Sequence, residues 1–229
     1  MAPESTLGIY REGFFFPLSC LLLGLFILLL PILFLLVFFN IVAFTFEKLG
    51  ISPELALLIL LLMLIGSVIN LPLTKRTIEY TREIRFGWFQ IPVRQESGLA
   101  INLGGAIIPV ALSCYLLFKV PLWPVLAATV LMVIICKFLT KPVPGRGLAI
   151  PMLIPPLFAT LFAILLVRDF AAPCAYISGV LGTLIGGDLL NLGKARRVGS
   201  GIISIGGAGV FDGIFLVGIV SVILTAFFG

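Results

Sequence analysis

Of the ten acidic residues in the chain, eight fall at termini, in polar loops or at the edges of apolar runs, and two, Asp188 and Asp212, fall inside them. A charge at the centre of a bilayer costs from ~3 kcal/mol on insertion scales to more than ~10 in simulations, so such residues have a function or a partner. Two carboxyls brought close together share a proton, because both cannot ionise side by side. One can then activate water while the other polarises a carbonyl and protonates a leaving nitrogen, a peptide hydrolysis that needs no metal or cofactor. The same acids could instead bind protons or cations in a transporter or channel, helped by Asn and Ser oxygens and glycine carbonyls. In a third reading they only join helices as protonated hydrogen-bonding groups.

The neighbours of these acids add donors and exposed backbone. Asn191 stands three positions after Asp188, on the same helix face, where it could hydrogen-bond the carboxyl or its ligand. Gly187 lies in "IGGD" and Gly209 in "GGAG", backbone that can unwind and meet a ligand. Gly182xxxGly186 and Gly209xxxGly213 are small-xxx-small pairs that let helices approach closely. At 1.5 Å per residue, Asp188 lies roughly 6 Å from the end of its span, and Asp212 roughly 15 Å along a helix starting at Ile202.

A related pattern occurs earlier in the chain. "GSVINL" at 66–71 resembles "GDLLNL" at 187–192, and "AINLGGAIIP" at 100–109 resembles "IISIGGAGVF" at 202–211. The alignment sets Ser67 against Asp188, Asn70 against Asn191, Asn102 against Ser204 and Val110 against Asp212, so one copy carries the acids and the other is neutral. Separated by four spans, the copies would run in the same direction as a parallel helix-pair repeat. Ser67, Asn70 and Asn102 would complete a polar pocket on the cytoplasmic half.

The elements that must hold these residues are membrane helices. Hydrophobic residues make up 61% of the chain and charged ones 11%, and apolar runs long enough to cross a ~30 Å hydrocarbon layer recur throughout. The expectation is an all-α, polytopic transmembrane bundle forming a single integral domain, residues 1–229, in the cell membrane. The seven expected spans are 14–46, 53–73, 100–119, 121–139, 148–167, 171–192 and 202–228. The first reads as a true span and not a signal peptide, kinked at Pro31 or strongly tilted. Ser52, Pro53 and Glu54 mark the start of the second. With the N-terminus inside, Arg11, Lys75, Arg76, Arg82, Arg85, Arg94, Lys137, Lys141, Arg146, Lys194, Arg196 and Arg197 collect on the cytoplasmic side, leaving Lys48, Lys119 and Arg168 outside. The net charge of +5 then reflects anionic headgroups, not nucleic acid. The loop 74–98 should lie along the inner interface, helical at first and extended through "FGWFQIPV", where it could offer an edge to an unwound peptide. Pro155-Pro156 would keep a helix irregular enough to admit a substrate.

Cys20, Cys114, Cys136 and Cys174 show no CxxC spacing, and the chain has no histidine, so neither a metal site nor a His-activated nucleophile is expected. The expected partners are the bilayer and either a membrane-helix substrate or a small ion or solute.

The strings "INLGGAIIP", "IPPL", "GTLIGGDLLNL" and "SIGGAGVFDGIFLVGI" resemble those of a family of polytopic prokaryotic, largely archaeal, membrane proteins known as a domain of unknown function. More distantly, "IGGD" is similar to the Gly-x-Gly-Asp motif of presenilin, signal peptide peptidase and prepilin peptidase, with Ile185 in place of the first glycine. That likeness implies an intramembrane aspartyl protease with Asp188 and Asp212 as its catalytic acids.

Overall fold

The computed structural model describes residues 15–74, 77–86, 89–143, 147–197, 202–207 and 213–228, with side chains left undescribed at 15–18, 77–86, 89–97, 213 and 215. The chain is mostly helical and divides into two compact units, residues 1–42 and 43–229. The first holds most of α1 (Phe15–Lys48), an unbroken helix with Pro31 inside it and large apolar side chains exposed all round. A helix apolar on every face suits lipid and not water.

The second unit is built around α6 (Ala171–Gly182), whose residues from Cys174 to Val180 are all buried. Its sequence "AAPCAYISGVLG" is rich in small residues, which allows neighbours to approach on every side. Against it pack α3 (Ile108–Leu117), α4 (Leu122–Leu139), α5 (Ile154–Leu166) and α8 (Gly213–Phe228). The small-xxx-small pair is used as its spacing suggests: a Cβ on Gly182 would stand 2.3 Å from Met132 Cβ, and one on Gly186 2.3 Å from the Val133 carbonyl oxygen. The α2 helix (Pro53–Gly66) starts at the expected Ser52-Pro53 signal.

The all-α expectation is corrected by short strands where apolar runs were read as helix. After α2 the chain enters β1 (Asn70–Pro72). The loop expected to open as a helix forms β2 (Thr77–Phe86), which pairs antiparallel with β3 (Phe89–Asn102), so only its extended part was read correctly. Downstream, β3 takes β1 on one side and β6 (Ile202–Ile205) on the other, the latter parallel. The third and seventh expected spans thus begin as strands, and no helix runs from Ile202 to give Asp212 the depth reckoned along one. The reason is pairing: a short apolar run fits helix and strand equally, and here β1 and β6 lie on either side of β3 to pair with it. A small hairpin, β4 (Lys141–Val143) with β5 (Gly147–Ala149), precedes α5. Pro155 and Pro156 lie in the first turn of α5, where the missing N–H groups have no helical partner to lose, so they open that helix instead of disordering it.

Among the described residues three helical stretches are long and apolar enough to cross a membrane: Ser19–Lys48, Leu122–Leu139 and Arg168–Arg197. Shorter apolar helices cover Pro53–Gly66, Leu103–Leu117, Ile154–Leu166 and Leu216–Phe228.

Candidate functional site

Asp188 ends a π-helical segment, Thr183–Asp188, inserted between α6 and a 3-10 turn at Leu189–Asn191. Such widened turns free backbone carbonyls and are frequent at functional sites. Here the freed carbonyls are met by Asn191, which is fully buried and donates from Nδ2 to the oxygens of Gly186 (2.8 Å), Gly187 (3.2 Å) and Lys137 (3.3 Å). Asn191 therefore braces the broken helix and is not the expected partner of the Asp188 carboxyl. Its Oδ1 is buried with no hydrogen-bond partner among the described residues.

The Asp188 carboxyl is instead held by backbone: Gly206 N–H donates to Oδ2 at 2.7 Å. Gly206 has φ +68°, a left-handed conformation that favours glycine, and a Cβ there would also stand 2.7 Å from Ala106 Cβ and 2.9 Å from Gly105. Its place after β6 and its conformation are both needed to aim that N–H at the carboxyl.

Asp188 lines a pocket of about 350 Å³. One wall is β5 and Ile150; another is the whole of β6, with Gly207 beyond it. Polar groups come from Thr140, Thr183, Asp188 and Ser204, and Gly187 and Leu192 close the helical side. A Cβ on Gly187 would lie 3.3 Å from Thr140 Oγ1, an approach that leaves little room at that wall. Ile214, from α8, also lines the pocket. Asp212 and Gly209 lie outside the described residues.

The neutral copy gathers its own polar residues. Asn102, only 2% exposed, caps the π-helical segment Leu103–Ile107 by accepting from Gly105 N–H at 2.7 Å. Its Nδ2 donates to the Ser67 carbonyl (2.6 Å) and to Asn70 Oδ1 (3.1 Å). Asn70 Oδ1 also accepts from Ser204 Oγ at 2.5 Å. Ser67, Asn70 and Asn102 are thus brought together as expected, but they bond to one another and to β6, and none of the three lines the Asp188 pocket. Gly104 and Gly66 touch so closely that a Cβ on Gly104 would fall 2.0 Å from the Met63 carbonyl oxygen.

The residues that sequence reasoning missed are Gly206, Thr140 and Thr183. The "SIGGAG" string signals a special turn at Gly206, but nothing in the sequence says which carboxyl its N–H meets. Among the described residues no group of three or more His, Cys, Asp or Glu could hold a metal ion. Cys136 is buried against Thr183, with Sγ 3.6 Å from its Oγ1, and Cys174 is buried as well.

A membrane-type helical chain with a half-buried acid beside a widened helical turn defines the class. Residues 64–224 match the family described as "Protein of unknown function (DUF1614)", and the chain belongs to that family. No curated protein and no solved structure matches the chain.

Proposed function

We propose that the protein is a multi-pass membrane enzyme of the aspartyl-protease type, with Asp188 as one working acid and Asp212 as the other. The observation that carries this reading is the shape of the Asp188 pocket, which is walled by two strands, β5 and β6. Each has one strand partner among the described residues, β4 and β3 respectively. An unpaired strand edge offers N–H and C=O groups in a row, which suits an unwound peptide better than a bare ion. Ile214, two positions after Asp212, lines the same pocket, so chain order favours Asp212 as the partner.

In this mechanism the ionised acid takes a proton from water, and the water oxygen bonds to the peptide carbonyl carbon. The protonated acid gives its proton to the carbonyl oxygen. The tetrahedral intermediate then collapses: the acid that took the water proton passes it to the nitrogen, the C–N bond breaks, and a hydroxyl of the intermediate returns its proton to the second acid as the new carboxyl forms. In this reading Asp188, whose Oδ2 accepts from the Gly206 N–H, is the water-activating acid.

Seven crossings fit this proposal, since the described residues include three long apolar helical stretches and four shorter apolar helices, with the N-terminus inside. The test is cleavage of a single-helix reporter peptide in proteoliposomes. Asp188→Asn and Asp212→Asn should each abolish it, and a statine-containing peptide should inhibit it. Cleavage that persists in the double variant excludes the mechanism.

The second reading, an ion- or proton-coupled transporter, draws on the two π-helical interruptions at "LGGAI" and "TLIGGD", which resemble the broken helices of ion sites. It predicts Asp188-dependent ion flux into liposomes without any cleavage.

A further inference from the structure

Asp188 owes its setting to Gly206, and Gly206 is itself clamped. A Cβ on Gly207 would fall 2.1 Å from Ser204 Oγ and 3.2 Å from Asn70 Oδ1, so the turn backbone lies directly on the Ser204–Asn70 hydrogen bond. On its other side Gly206 rests on Gly105 and Ala106.

The direction of every bond in this cluster follows from the backbone groups at its base. Gly105 N–H can only donate, so the Asn102 atom facing it is Oδ1. The Ser67 carbonyl can only accept, which agrees with Nδ2 on the other branch. The Asn70 atom receiving that Nδ2 must be its oxygen, and Ser204 Oγ then donates to the same oxygen. Asn102 and Ser204, the residues matched in the two similar strings, converge on one acceptor.

We propose that Asn70 is a positioning residue for Asp188, acting through Ser204 and the Gly206 turn without touching the acid. This rests on the reading of Asp188 as a working acid. Asn70 ties a nearly fully buried anchor, Asn102, to the strand that carries the Gly206 N–H. Cutting the tie frees that N–H to leave the carboxyl, while the α4–α6–α8 core keeps its own contacts.

The experiment is amide hydrogen exchange at Gly206 in nanodiscs, read beside reporter-peptide cleavage. Asn70→Ala and Ser204→Ala should each speed Gly206 exchange by about tenfold, the size expected for one hydrogen bond. The double variant should add nothing, and amides of α6 from Cys174 to Val180 should keep their wild-type rates. Ser204→Thr, which retains the hydroxyl, should restore slow exchange. In the cleavage assay Asn70→Ala, which lies outside the pocket lining, should lower kcat with KM unchanged. If Asn70→Ala does not fold, Ser204→Ala decides by the same measurement. Wild-type exchange at Gly206 in either alanine variant, or equal loosening of α6, overturns the proposal. The expected exchange pattern with no cleavage by any form upholds the tie and sinks the protease reading instead.

Discussion

Two regions of this molecule begin from similar strings and end in opposite states. Around "INLGGAIIP" the neutral copy is closed: Asn102 bonds to Ser67, Asn70 and Gly105, and Gly104 lies on α2 with no space for a methyl group. Around "IGGD" and "SIGGAG" the acidic copy is open: one carboxyl, one backbone donor and about 350 Å³ of space. The difference teaches that polar residues in a membrane protein become a site when their neighbours leave them room. With bonding capacity used up among themselves, they become a joint.

The largest expected effect is on the open copy. On the protease reading Asp188→Asn should abolish detectable cleavage, a loss of at least about 10²- to 10⁴-fold, the usual share of a general acid-base group, with little change in thermal stability. The closed copy should respond in stability instead. Gly104→Ala places a methyl group on the Met63 carbonyl, and overpacking of this kind should cost about 3 kcal/mol, read as a fall in Tm in nanodiscs. Asn102→Ala leaves Gly105 N–H and the Ser67 carbonyl without their partner, and should cost about 2 kcal/mol. The smallest effect belongs to Gly187→Ala, whose methyl meets Thr140 Oγ1 at 3.3 Å and nothing closer. Stability should change by less than about 1 kcal/mol, and the narrowed pocket should show itself as a raised KM. A large stability loss at Gly187 together with tolerance at Gly104 would reverse the comparison.

Much of this was legible in the residues. The long apolar runs, the start of α2 at Ser52-Pro53, the close-packing role of Gly182 and Gly186 and the grouping of Ser67, Asn70 and Asn102 all follow from local pattern. The strands were not legible, because a short apolar run of Ile, Leu and Ala satisfies helix and buried strand equally. What selected the strand at Ala100–Asn102 was pairing with β1 and β6, segments about 30 and 100 residues distant in the chain. Asn191 was misassigned for a related reason: spacing three positions from Asp188 presumes a regular helix, whereas the π-helical turn releases carbonyls that claim its amide first.

The sequence by itself determined that this chain carries stretches apolar enough to cross a membrane, since hydrophobicity is a sum over residues and needs no fold to evaluate. It also singled out Asp188, because an acid in an apolar run is costly wherever that run goes. Only the tertiary structure decided that Gly206, 18 residues on, supplies the hydrogen bond to that acid. It alone decided that Asn70, 134 residues from Ser204, accepts a hydrogen bond from it. A hydrogen bond depends on position and angle to within tenths of an ångström, and the packing of distant segments fixes both.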